Sequence, residues 1–265
     1  MTYETIIVET SPDGVMTVTL NRPDVLNSFN QAMEREFAQL WAEVKEDDAV
    51  RAVVLAAAGD KAFCTGVDVS ERLDSDNPFV DQLQPWAEHE DPGHSLSPRR
   101  NEVWKPVIAA VHGMCAGGAF YWIADCDIVI CSDDATFFDP HVTYGMVAAL
   151  EPIALTYRMF FGDVVRMALL GGHERITAER ALIAGLVTEV VSRESLLARA
   201  QEIARVVASQ PPAAVQGTVK AIWQSLDVTR SQALATALMY TQVGNPIGTA
   251  NLDRAAAKPT EVWRR

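Results

Sequence analysis

The segment KPVIAAVHGMCAGGAFYWIADCDIVICSDDATFFDPH, residues 105–141, carries in one run the pattern that decides the fold. Val107 to Val111 is a continuous apolar stretch, as expected of a strand buried on both faces. A small-residue turn, Ala116-Gly117-Gly118, leads into the helix-like FYWIAD, and a second apolar run, Cys126 to Cys131, follows. Strands of this kind alternating with helices indicate a largely parallel sheet covered on both sides. The glycines let a backbone approach something closely. The turn also frees N–H groups at a helix start, where negative charge is stabilised.

Working outward, AFCTGVDVS (62–70) repeats the arrangement directly after the apolar run VRAVVLAA (50–57). Two such turns side by side can aim two N–H groups at one oxygen, an oxyanion hole. Either turn alone is better explained by tight strand-to-helix packing. Upstream, ETIIVET and VMTVTL flank Pro12-Asp13-Gly14 and predict a hairpin. Met33, Phe37, Leu40, Trp41 and Val44 have helical spacing, with Asn27 or Ser28 as the cap. From about Thr177 onward the chain is helical. Between these parts runs a polar stretch, Asp74 to Arg100, containing Pro78, Pro85, Pro92 and Pro98; its length suits a functional lid or a disordered segment. Phe79 and Trp86, isolated in it, either line an acyl pocket or anchor the loop to the core. No internal repeat is visible in the sequence.

Composition narrows the partners. Apolar residues make up 49% of the 265, enough for a sizeable core. The net charge of −13 argues against nucleic acid and anionic membranes as partners. An anionic substrate must then be met by local N–H groups or Lys/Arg. Cys64, Cys115, Cys126 and Cys131 fit no zinc-ribbon spacing, and the chain start does not resemble a signal peptide; four reduced thiols in a cytoplasmic protein are expected.

Together with LNRPDVLNSFN (20–30) and ERITAERALIAGLVTEVV (174–191), these motifs, in this order, resemble the enoyl-CoA hydratase/isomerase (crotonase) superfamily over nearly the whole chain. The resemblance implies an α/β fold, a spiral of ββα units with a helical C-terminal region. Residues 1–195 would form the core with acyl-CoA binding and the oxyanion hole, and 196–265 a trimerisation region. A homotrimer or dimer of trimers is implied, as is a thioester substrate bound through coenzyme A, with no separate cofactor and no metal. The oxyanion donors would be the N–H groups of Val67 and Gly118. Coenzyme A contacts would come from Thr65, Gly66, Asp68, Gly117 and the segment Asp24-Val25-Leu26. Many relatives carry Lys where Asp24 stands, so cations for the phosphates would come from elsewhere, such as Arg254 or Lys258.

One departure bears on the reaction. Typical hydratases of this family carry two glutamates, at the positions that here read Tyr121 and His141. His141 suits proton transfer, and Tyr121 would hydrogen-bond water or substrate. Asp139, on the same side of an extended chain, would orient the imidazole unless Pro140 breaks the alternation. Glu151, before Pro152 at a helix start, lies close to where relatives with other activities place a carboxylate, at Ala149. The plainer roles are a structural histidine, a core tyrosine, a dipole-complementing Glu151, a helix-capping Asp68 and a packing His112. The expected protein is an acyl-CoA enzyme, a lyase or isomerase of fatty acid metabolism, that stabilises a thioester enolate. Hydration of an unusual enoyl-CoA, isomerisation, decarboxylation and thioester hydrolysis stay open, beside a non-catalytic acyl-CoA-binding protein.

Overall fold

The computed structural model describes residues 3–70, 91–250, 252–253 and 262–263; Phe79, Trp86, Arg254 and Lys258 lie outside them. The hairpin forms as expected: β1 (Ile6–Thr10) and β2 (Val15–Leu20) are antiparallel, with Ile6 opposite Leu20. β2 then pairs in parallel with β3 (Ala52–Ala57), which pairs with β5 (Val107–Val111) and through it with β7 (Ile128–Ser132) and β10 (Glu189–Val191). A second sheet joins β4 (Ala62–Cys64), β6 (Met114–Ala116), β8 (Thr136–Phe138) and β9 (Ile176–Thr177).

The connectivity is repetitive. β3 feeds β4, β5 feeds β6 and β7 feeds β8, each long strand of the first sheet handing the chain to a short strand of the second. Helical structure follows β6 and β8, so ββα units wind into a spiral. The repeat escapes a sequence search because strand lengths and turns recur, and the residues do not.

The long strands read as unbroken apolar runs because both faces are covered. Val53, Leu55, Val107, Ala109 and Val111 join the larger core, beside the apolar stripe of α1 (Gln31–Glu46). Their neighbours Ala52, Val54, Ala56, Ile108 and Ala110 pack with Ala200, Ile203, Ala204 and Ala208 of the helix Leu196–Ala208. Small residues on both sides of that contact let helix and sheet approach closely.

α1 is capped by Asn30, whose side chain accepts the Met33 N–H at 3.0 Å, and not by Asn27 or Ser28. Asn27 is used as a strut: its Nδ2 donates to the carbonyls of Ala58 (2.8 Å) and Ala62 (3.0 Å), and its Oδ1 accepts the Arg22 N–H (2.9 Å). At the other end, buried Lys105 donates to the carbonyls of Val44 (2.7 Å) and Asp47 (2.6 Å), satisfying acceptors that the helix terminus leaves open. Phe37 lies 5.0 Å from Trp122 and 5.6 Å from Trp41, and Phe29 meets Trp122 edge-on at 5.9 Å. Burying each of these aromatics contributes about 1.5–3 kcal/mol, and together they fix the helix Phe120–Ile123 that follows the second glycine turn.

The helices Pro212–Gln224 and Arg230–Thr249 pack on each other and leave Ile222, Leu234, Leu238, Val243 and Ile247 exposed. Trp223 anchors the first of them to the core, donating to Asp127 Oδ1 at 2.7 Å. All four cysteines are buried and free. Among the described residues no helix is long and apolar enough to cross a membrane.

Candidate active site

The two glycine turns meet. Gly66 has φ +92°, and a Cβ there would stand 3.0 Å from the Gly118 nitrogen and 3.3 Å from the Ala116 oxygen. Phe29 holds the first turn: its N–H donates to the Gly66 carbonyl (2.9 Å) and its carbonyl accepts the Asp68 N–H (2.8 Å), a parallel bridge with Val67. In such a bridge the N–H of the middle residue points away from its partner, so the Val67 amide faces the side opposite Phe29. Arg22 closes the arrangement with a 2.9 Å ion pair to Asp68 and a hydrogen bond to the Ser28 carbonyl (2.6 Å). Asp68 Oδ1 also accepts the Ser70 hydroxyl (2.6 Å) and N–H (3.1 Å). The Ser70 bond first, and then Arg22, hold its carboxyl below the usual range against the effect of burial. With its N–H and its carboxylate both engaged, Asp68 braces the turn. Gly117 and Gly118 open a buried helical turn, Gly117–Ala119, and Thr65 is half-buried beside Gly66.

His141 stands next to this junction; a Cβ on Gly117 would lie 3.7 Å from its Cε1. Asp139 is fully buried, and its Oδ1 accepts both the His141 Nδ1–H (2.5 Å) and the His141 backbone N–H (3.1 Å). The pairing does not come from extended alternation. Pro140 is helical, His141 begins the helical turn His141–Tyr144, and the carboxylate folds back on residue i+2 as an Asx turn. With Nδ1 donating to Asp139, Nε2 of the neutral ring is an acceptor. It faces Glu151 Oε1 at 3.9 Å. Glu151 is only 6% exposed, on the helix Leu150–Leu155, so it is far more enclosed than a surface charge complementing a helix dipole.

Both groups hold protons more tightly than usual. The Asp139 hydrogen bond raises the His141 pKa despite burial. Burial raises that of Glu151, with the charges of Asp139 and Asp91 adding to it and His141 opposing. The result is a histidine and a carboxyl that both hold protons more tightly than usual, face to face, suited to passing a proton to or from a bound molecule.

Tyr121 joins the same cluster and is no ordinary core aromatic. A Cβ on Gly118 would be 3.5 Å from its ring, and its ring meets Phe29 edge-on at 6.4 Å. Burial, followed by the charges of Glu151 and Asp91, pushes its pKa well up. Asp91 and its ion-pair partner Arg100 were not picked out in the sequence. Asp91-Pro92-Gly93 is a turn signature opening the helix Gly93–Leu96, a signal lost within a polar stretch read as a lid or a disordered segment.

Asp24 and Leu26 line a cavity of about 280 Å³ together with Gly59, Asp60 and Lys61. Val25 is exposed on the outside of the turn. Lys61, directly before AFC in the sequence, adds a cation to the lining of the same cavity. His112 is buried, and burial together with the Arg193 charge pushes its pKa down to about 4, consistent with packing.

The sequence model of the enoyl-CoA hydratase/isomerase family matches residues 10–245. An (E)-benzylidenesuccinyl-CoA hydratase of Thauera aromatica is 35% identical over 207 residues, 78% of each chain. A 1,2-epoxyphenylacetyl-CoA isomerase of Escherichia coli (strain K12) is 36% identical over 200 residues, 75% of this chain and 74% of that one. A crystal structure of an enoyl-CoA hydratase/isomerase from Mycobacterium paratuberculosis superimposes with a TM-score of 0.81 at 37% identity, covering 96% of this chain and 93% of the other. By sequence and by fold, the chain belongs to the enoyl-CoA hydratase/isomerase family.

Proposed function

We propose that the protein converts an acyl-CoA thioester through an enolate, with the N–H groups of Val67 and Gly118 holding the thioester oxygen and His141, oriented by Asp139 and paired with Glu151, moving the proton. The observation that carries this reading is the meeting of the two glycine turns beside the His141–Glu151 pair. As water adds to the β-carbon of an enoyl-CoA, its proton passes to neutral His141 Nε2 or to Glu151. The electron pair moves onto the thioester oxygen, and the protonated partner returns a proton to the α-carbon. Double-bond migration uses the same groups: a proton leaves one carbon and re-enters at another. Hydratases and isomerases both stand among the relatives, and the reaction class is kept at these two.

Thr65, Gly66, Gly117 and the wall formed by Asp24, Leu26 and Lys61 supply the coenzyme A contacts in this reading; the thioester carries its own coenzyme, and no further cofactor takes part. The exposed apolar side chains on Arg230–Thr249 support a homotrimer or dimer of trimers. A cytoplasmic setting agrees with four unpaired cysteines.

His141→Ala tests the reading. Turnover of crotonyl-CoA, already weak without the usual carboxylate pair, is expected to fall by about two to four orders of magnitude, while calorimetric binding persists. An unchanged rate removes His141 from the chemistry, and absence of acyl-CoA binding by the wild type removes the enzyme reading.

A further inference from the structure

Glu151 approaches His141 from a helix of only six residues, Leu150–Leu155. The chain enters this helix from an exposed run, residues 142–147, and Ile153 and Tyr157 face outward. On the inner side Leu155 and Met159 pack into the core. Polar ties are sparse. Thr156 bonds only the nearby Ile153 carbonyl, and among the described residues the one side chain of 150–159 that hydrogen-bonds another element is Arg158. Its backbone N–H and that of Met159 donate to the Leu155 carbonyl, each at 2.9 Å, so Arg158 rides on the end of the helix. Its guanidinium crosses to the end of Phe120–Ile123. There Nη2 donates to the carbonyls of Ala124 (3.3 Å) and Cys126, and Nε to that of Ala124 (3.4 Å). A helix C-terminus leaves such carbonyls open, and a charged donor bonds them more strongly than a neutral one. Phe120–Ile123 follows directly on the turn Gly117–Ala119. One side chain therefore ties the segment that bears Glu151 to the segment that bears the Gly118 amide.

We infer that Arg158 is a positioning residue, which sets the approach of Glu151 to His141 by locking the helix Leu150–Leu155 onto the end of Phe120–Ile123. The inference rests on the reading under Proposed function, in which Glu151 shares the proton work with His141. Without the guanidinium the helix keeps its anchors Leu155 and Met159. Apolar packing is non-directional, so the helix is then free to slide on them and Glu151 leaves its place 3.9 Å from His141 Nε2. A displacement of about 1 Å at a reacting group costs about 10²-fold in rate.

Arg158→Met, Arg158→Lys, Glu151→Gln and the double variants of Glu151→Gln with each Arg158 change test it. The readouts are crotonyl-CoA turnover and exchange of the α-protons of butyryl-CoA with D2O, beside urea unfolding. Arg158→Met is expected to lower both rates about ten- to hundredfold while KM stays within about twofold. Arg158→Lys keeps the charge as a single point donor and should recover part of the loss. On the Glu151→Gln background neither Arg158 change should slow the enzyme further, because the residue acts through Glu151. Where Arg158→Met does not fold, Arg158→Lys carries the same comparison. Wild-type rates in both Arg158 variants overturn the inference, as does a fall as large without Glu151 as with it, the mark of a merely structural role. These results leave the functional reading standing as long as Glu151→Gln is slow. A Glu151→Gln enzyme at the wild-type rate, or a wild type that neither turns over nor exchanges, overturns that reading and the inference together.

Discussion

Gly118→Ala puts the meeting of the two turns to the test. A Cβ at this position would lie 2.6 Å from Phe29 Cε1 and 2.8 Å from Cζ, against about 3.5–4.0 Å for carbon atoms in contact. Phe29 is 1% exposed and wedged against Trp122 and Tyr121, so its ring has nowhere to go. The turn must retreat by roughly 1 Å to restore contact distance, enough to break an amide hydrogen bond of ordinary length. Because Phe29 also holds Gly66 and Asp68 through its backbone, the strain reaches the Val67 side of the site. Losing one oxyanion donor lowers kcat about 10²–10³-fold, and overpacking costs about 1–3 kcal/mol of stability. The assay is crotonyl-CoA turnover beside urea unfolding and calorimetric binding, with Phe29→Leu added to the Gly118→Ala background to reopen the space. Partial recovery of kcat in the double variant is expected. A Gly118→Ala enzyme that folds, binds and turns over like the wild type would refute the role of this amide.

Asp139→Asn leaves only a neutral amide oxygen where the charged acceptor of the hydrogen bond that contributes most to raising the His141 pKa stood. If His141 works as the neutral base, activity rises with pH through that pKa, so the acidic limb of kcat/KM should move to lower pH; a stationary limb assigns it to another group. His112 predicts acid lability. Its folded pKa of about 4 lies below the usual 6.5, so its neutral form favours folding fully above pH 6.5, and that contribution is lost as pH falls toward 4. Urea titrations should show a loss approaching 1.4 kcal/mol per pH unit within that window, and His112→Asn should flatten it. A slope that survives the substitution shows that other groups set it.

The long strands, the hairpin, the α1 stripe and the two glycine turns were legible in the sequence because each is a local pattern: unbroken apolar runs, alternation, helical spacing, a turn after a strand. The cap of α1 was misplaced because Asn27, a good capping residue by type, is drawn off by the carbonyls of Ala58 and Ala62, far along the chain. The proximity of Asp139 to His141 was anticipated from extended geometry but arises from an Asx turn at Pro140. The 3.9 Å approach of Glu151 to His141 depends on where the helix Leu150–Leu155 docks, which no spacing states. Arg100, paired with Asp91, comes beside Tyr121 only through tertiary packing against Gly93, and Lys61 shares a cavity with Asp24 only through the loop after β3.

The measurement that bears most directly on the central claim is proton exchange at the α-carbon of butyryl-CoA in D2O, followed by NMR with the purified wild-type protein. An enolate held by Val67 and Gly118 and protonated by the His141–Glu151 pair requires that deuterium enter the α-position far faster than in buffer, and that Gly118→Ala slow its entry. Butyryl-CoA that binds in calorimetry yet keeps its α-protons would contradict the account and make this chain a binding protein built on an enzyme fold.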